Sequence, residues 1–189
     1  SAAAGRPFGV ITRGTTNHNR LRRCDRWVVA TQREALLAPV APPLVVDLGY
    51  GASPITAVEL RDRLRAVRPD VRVVGVEIEP ERVAVAKPLE DDTLSFRLGG
   101  FELPVEGEVD VVRAFNVLRQ YDESQVARSW RIVQQRLSPT GVFVEGTCDE
   151  IGRLATWVAL DRERAGGPPG ARRGCADDGV PPARHQRGQ

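Results

Sequence analysis

The sequence of 189 residues predicts a doubly wound α/β domain, a mostly parallel sheet of about five to six strands with helices on both faces. Three observations predict it. Short β-branched runs alternate with charged stretches whose apolar residues recur at helical spacing. The first such run, Leu44-Val45-Val46-Asp47-Leu48, passes into Gly49-Tyr50-Gly51-Ala52-Ser53-Pro54, a sharp turn from strand to helix. The second, Val73-Val74-Gly75-Val76-Glu77, closes on an acid.

The elements follow in order. Residues 1–22 form a basic arm, with Thr16 or Asn17 placed to cap a helix whose apolar side is Leu21, Trp27, Val28, Ala35 and Leu36. After the first strand, Ser53 serves as N-cap and Pro54 fits the first helical turn. Ile55, Val58, Leu60, Leu64 and Val67 then mark one helical face. Pro69-Asp70 breaks that helix, and Val71 to Ile78 make the second strand. Pro80 starts a helix lined by Val83, Val85 and Ala86. Leu94 to Leu98 alternates as a third strand and ends at Gly99-Gly100. Val109 to Asn116 is mostly apolar, as a central strand is. Ser124 to Leu137 is an amphipathic helix, Pro139-Thr140-Gly141 a turn, and Gly141 to Glu145 a fifth strand.

A globular domain thus spans 23–160, followed by a tail, 161–189, rich in Pro, Gly and Arg and expected to be disordered. Ile151 to Leu160 suits the start of a C-terminal hairpin, yet no partner strand is recognisable after it. The hairpin is therefore expected to be missing, as at a truncated or frame-shifted end, the alternative being a natural flexible tail; a truncation would leave the fifth strand as an apolar edge.

The glycine turn carries the chemistry. Gly49 and Gly51 let the backbone adopt conformations closed to other residues and approach a ligand. The helix behind them offers free N–H groups to an anion. Glu77 is placed to accept hydrogen bonds from a ribose diol. A dinucleotide turn needs a third glycine where this chain has Pro54, which disfavours NAD. Asp47 would repel a pyrophosphate but suits a ligand carrying an ammonium group. The alternative is a tight strand–helix turn with no ligand.

These residues resemble the first motif of class I S-adenosylmethionine-dependent methyltransferases, acid-x-Gly-x-Gly, and the resemblance covers about residues 23–160. It implies a Rossmann-like methyltransferase fold with S-adenosylmethionine as cofactor. Asp47 and the Gly49–Gly51 turn would hold the methionine end and Glu77 the ribose, with Tyr50, Ile78 and Asn116 in the same site. By the same analogy Arg13, Thr15, Asn17 and Arg20 form a lid reaching the methionine carboxylate or the substrate; the alternative is that they cap and solvate a helix start. The acid that commonly touches the adenine amino group is replaced by Gly100, with Phe101 either stacking on the base or lying in the core. The histidines common after Val117-Leu118 in related small-molecule enzymes are replaced by Arg119-Gln120, and Asn116-Val117 is not the N-P-P-[YF] motif of nucleic-acid amino-methylating enzymes. Tyr121 and Asp122 are the nearby acid–base candidates, unless they simply cap the next helix.

Composition narrows the partners. Lys87 is the only lysine among 27 basic residues, a bias that fits GC-rich coding. The chain has no methionine, so its start is expected upstream of Ser1. Seven arginines against Asp25 and Glu34 make residues 1–40 basic; the arm either steers an anionic substrate such as RNA or docks on its own acidic domain, and the lack of interleaved aromatics favours docking. Cys24, Cys148 and Cys175 have no metal or disulfide spacing, and His18 and His185 lie in the arms, so no metal is expected. No G-x-S-x-G elbow appears. No apolar stretch suits a signal peptide or membrane span, and a cytoplasmic location is expected. The expected function is methyl transfer to an unidentified acceptor, a small molecule. The alternatives are a non-catalytic cofactor-binding remnant and an RNA-directed methyltransferase.

Overall fold

Strands apolar on both sides sit at the centre of a sheet: every residue of β1 (Leu44–Leu48) and β4 (Val109–Phe115) is buried. The computed structural model describes residues 7–12 and 16–162 and the backbone of 171–175. Seven strands form one sheet in the order β3-β2-β1-β4-β5-β6-β7, with β2 at Arg72–Glu77, β3 at Leu94–Leu98, β5 at Leu137–Cys148, β6 at Ala155–Asp161 and β7 at Ala171–Cys175. The first five run parallel; β6 and β7 are antiparallel to their neighbours.

The period-2 alternation of the strands divides the core into two layers. Val45, Val73, Phe96, Val111, Val142 and Val144 face α1 (Arg22–Thr31), α2 (Arg33–Leu37), α3 (Ile55–Arg65) and α4 (Pro80–Ala86). Val46, Val74, Val76, Val112 and Phe143 face Val133 of α5 (Glu123–Gln134) and Phe101 and Leu103 of the β3–β4 loop. The chain order reverses between β1 and β4, which opens a crevice at their carboxyl ends, where ligands of doubly wound sheets bind.

Several expectations are corrected. The hairpin expected to be missing is present. β6 pairs with β5 from Val142↔Asp161 to Cys148↔Ala155, and β7 pairs with β6 from Thr156↔Cys175 to Leu160↔Ala171, so the fifth strand is not an edge. Trp157 and Ala159 enter one core layer and Leu160 the other, which anchors β6. β7 pairs through backbone groups, a contribution that a Pro/Gly/Arg-rich composition conceals; the rest of the tail beyond Arg162 lies outside the described residues. Pro139-Thr140-Gly141 is an irregularity within β5, where the register shifts between Val109↔Leu137 and Val111↔Val142, because Pro139 has no N–H to give a ladder. α1 begins after Leu21 with no side-chain cap, so neither Thr16 nor Asn17 caps it. Pro54 is itself the N-cap of α3, and the Ser53 hydroxyl accepts from the Ile55 N–H at 3.4 Å.

Candidate functional site at the carboxyl ends of the parallel strands

The turn after β1 is built by two residues in the left-handed region, Gly49 at φ 68° and Gly51 at φ 88°. A side chain at Gly51 would meet Thr16 Oγ1 at 2.9 Å, so the backbone there is open only to small groups. Glu77, at the end of the neighbouring strand, is 1% exposed and ties the turn to β2. Its Oε2 accepts from the Gly51 N–H at 2.9 Å, and its Oε1 from the Ile78 N–H at 2.9 Å. Arg82, in the first turn of α4, lies 3.5 Å from Oε2 and also donates to the Thr12 carbonyl at 2.9 Å.

Two cavities flank Thr12. The larger, about 210 Å³, is lined by Gly49, Tyr50, Gly51, Asn116, Arg20 and Cys148 among others. The smaller, about 20 Å³, lies between Glu77, Ile78, Gly100, Phe101 and Tyr121 and is bounded by Phe8 to Val10. A groove of about 270 Å³ at the amino ends of β2 and β3, lined by Arg72, Thr93 and Glu106, lies at the wrong end of the sheet for the glycine turn.

Arg20 is the buried charged group of the larger cavity, whose wall also carries Arg119, Asp149 and Glu150. It is 8% exposed, its Nη1 lies 3.7 Å from Cys148 Sγ, and its Nε has no hydrogen-bond partner. A buried guanidinium with an unused donor favours an anionic ligand. Burial pushes the Cys148 thiol up despite Arg20 nearby, which keeps it a neutral wall. Asn116 is held at φ 61°, a strained conformation for a side-chain-bearing residue. Its amide exchanges two hydrogen bonds with the Cys148 backbone, at 2.9 and 3.1 Å, so it braces β4 against β5. Asn17 reaches across the cavity mouth to the Glu150 carbonyl at 3.0 Å. Arg13 and Thr15 lie outside the described residues.

Asp47 does not face either cavity. It is 2% exposed and turned into the helix-covered layer, where Arg113 of β4 meets it at 2.9 Å and the Thr56 hydroxyl donates to it at 2.9 Å. Arg113 also pairs with Asp25 of α1, which Arg63 of α3 approaches from its other side. Burial opposes the Arg113 charge, but Asp25 and Asp47 outweigh it and raise its pKa. The acid of the first motif is thus engaged in the core, because a buried arginine on the adjacent strand, in register with it, takes both of its oxygens.

The acid–base candidates are also placed. Asp122 is the N-cap of α5 in a reciprocal capping box with Gln125. Tyr121 stands perpendicular to Phe101, ring centroids 5.8 Å apart, and burial raises its phenol pKa. The Tyr50 ring packs on Phe96 and its hydroxyl donates to the Arg82 carbonyl at 3.2 Å, so only its backbone reaches the cavity. Phe101 is a core residue at 1% exposure whose backbone N–H points into the crevice.

Glu102 escaped the sequence reading. Its Oε1 accepts from the Gly100 N–H at 2.8 Å and its Oε2 from the Phe8 N–H at 2.9 Å, so a carboxylate does stand beyond β3, two residues after Gly100. An acid following the Gly99-Gly100 turn was the available signal. Arg82 and Cys148 were missed because nothing in their local patterns shows which way they face. Among the described residues, no group of three or more His, Cys, Asp or Glu is placed to hold a metal ion, and no helix is long and apolar enough to cross a membrane.

The sequence matches no protein-family model and no curated protein at a significant level. Solved structures are similar. Human N-acetylserotonin methyltransferase, in complex with SAM, is 22% identical over 70% of this chain and 39% of its own, with a TM-score of 0.44. The C52A variant of LepI, in complex with SAH and a substrate analogue, is 16% identical over 62% of this chain and 30% of its own, with a TM-score of 0.50. A pericyclic reaction enzyme is 15% identical over 72% and 33%, with a TM-score of 0.51. The chain spans 30–39% of the length of these proteins. Strand order, the glycine turn after β1 and the likeness to the last two of these structures give the chain a Rossmann-like fold, the fold that class I methyltransferases also have.

Proposed function

We propose that the chain binds S-adenosylmethionine at the Gly49–Gly51 turn and transfers its methyl group to an unidentified small-molecule acceptor. The observation that carries this reading is the coupling of Gly51 to Glu77. A left-handed glycine turn is bonded to a buried carboxylate at the end of the next strand, an arrangement suited to hold a hydroxyl-bearing ligand beside a backbone cradle. Arg20, buried with an unused donor in the adjoining cavity, is suited to the methionine carboxylate. Asp47 stays with Arg113, and the ammonium group is left to Asp149 and Glu150 on the cavity wall.

When bound, the sulfonium supplies a methyl group that leaves in line with the attacking nucleophile. The protein's part is to fix that line. Gly49 and Gly51 set the floor, Asn116 holds β4 and β5 in register around it, and Arg20 anchors one end. Positioning of this kind supplies roughly 7–11 kcal/mol in well-aligned reactions, so no general base is required when the nucleophile is already deprotonated. Tyr121, with its phenol pKa raised, is a poor base, and Asp122 is engaged as a helix cap.

A small acceptor is favoured over RNA because two of the N-terminal arginines are turned into the domain: Arg20 towards Cys148 and Arg23 to the Arg153 carbonyl at 2.8 Å. A cytoplasmic location goes with this reading. Thermal-shift titration with S-adenosylmethionine, S-adenosylhomocysteine and NAD tests it. Ligand at a hundred times its Kd stabilises by about 2.7 kcal/mol, a rise of the order of 5 °C for a chain of this size. A shift with the two S-adenosyl ligands and not NAD is expected; a sharp transition that none of them moves would overturn the reading.

A further inference from the structure

Residues Phe8 to Thr12 run through the crevice as a strap, bent at Gly9, and the way they are held is specific. The Phe8 N–H donates to Glu102 Oε2 at 2.9 Å while the Phe8 carbonyl accepts from the Phe101 N–H at 2.9 Å. One peptide segment therefore presents a donor and an acceptor side by side to a carboxylate and a backbone N–H. The same paired pattern is offered by the amino-pyrimidine edge of adenine, an amino group next to a ring nitrogen. The fit is close: a Cβ on Gly100 would lie 2.0 Å from the Phe8 carbonyl oxygen. The Phe8 ring stands edge-on to Phe101 with centroids 6.0 Å apart, and Arg128 lies over it at 5.2 Å. Further along, Gln120 donates to the Ile11 carbonyl at 3.0 Å and Arg82 to the Thr12 carbonyl. What is left of the crevice beside Glu77, Gly100 and Phe101 is about 20 Å³, far less than a purine needs, while Val10 and Ile11 stay 52% and 43% exposed.

We propose that the strap is an autoinhibitory contact. Phe8 occupies the Glu102–Phe101 pair that recognises the adenine edge, so strap and nucleoside compete for one crevice and the protein binds its cofactor only with the strap displaced. The proposal rests on the adenosyl-ligand reading above. It differs from a lid, which closes over a bound ligand and adds contacts to it. Competition lowers apparent affinity by the fraction of molecules with the strap displaced, so loosening the strap tightens binding.

The test uses the full chain and S-adenosylhomocysteine. Phe8→Ala removes the ring contacts with Phe101 and Arg128, and Phe8→Pro also removes the N–H given to Glu102. Both are expected to bind the ligand about threefold or more tightly than the wild type. Hydrogen exchange of the wild type is expected to speed up in residues 7–12 on saturation, while residues 96–103 stay protected because the Phe101 N–H exchanges one acceptor for another. Unchanged or weaker binding by the variants, or slower exchange in 7–12, overturns the strap and leaves the cofactor reading intact. No binding of S-adenosylhomocysteine by any of the three folded proteins overturns both.

Discussion

Arg113 and Asp47 meet at 2.9 Å with side chains 0% and 3% exposed, and this pair decides what the first acid of the glycine motif does. With Asp25 and Arg63 they form a charge-balanced cluster that pins α1 and α3 to the two central strands. Removing one partner of a buried pair leaves an uncompensated charge and costs about 3–5 kcal/mol. Arg113→Met is therefore expected to lose that much unfolding free energy in urea denaturation. Asp47→Asn is expected to lower stability while leaving S-adenosylhomocysteine affinity within about threefold, since Asp47 faces neither cavity.

Glu77 is placed differently, with its carboxylate bonded to the backbone of the turn. Glu77→Ala is expected to weaken cofactor binding by roughly 1.5–3 kcal/mol through loss of charge-assisted hydrogen bonds. Titration calorimetry measures this, with circular dichroism to show that the variant is folded. Wild-type affinity in the folded variant would remove the ribose from this position.

Arg20 gives a test that separates the two ends of the ligand. Arg20→Gln is expected to weaken S-adenosylhomocysteine about tenfold or more, the loss of one charged hydrogen bond. Binding of 5′-methylthioadenosine, which lacks the amino-acid portion, is expected to stay unchanged. Equal weakening of both ligands would contradict the placement of the carboxylate.

Glu145 on β5 has its pKa raised to about 7 by burial. The unfolded chain releases this proton near pH 4.5 and the folded chain retains it to about 7, so the folded state binds more protons between those values. Stability is fully present below the unfolded pKa and falls as pH rises from about 4.5 to about 7, by at most about 1.4 kcal/mol per pH unit. Glu145→Gln is expected to flatten this segment of the stability–pH curve and to raise the melting temperature at pH 8. An unchanged curve would show that the residue stays ionised in the fold.

The sheet through β5 was legible because its strands are apolar runs separated by helical patterns; β3 falls on Leu94–Leu98 as its alternation predicts. The antiparallel end was not, because β7 is held by backbone pairing among Ala, Arg and Gly, which carry no strand signature. The glycine turn and Glu77 were legible as a motif with a fixed order. The pairing of Asp47 with Arg113 was not legible, because Arg113 lies 66 positions away and a buried arginine in an apolar run leaves no local mark. Glu102 was missed by two positions, since a loop, not a strand, carries it.

The most direct measurement is calorimetric titration of the full chain and of Gly51→Val with S-adenosylhomocysteine and NAD. At φ 88°, with Thr16 Oγ1 2.9 Å from the site of a Cβ, valine both strains the turn and fills the cradle. The expected result is one S-adenosylhomocysteine bound per wild-type chain, none by the folded variant, and no NAD by either. Equal binding by wild type and Gly51→Val, or none by a folded wild-type chain, would contradict a cofactor site at this turn.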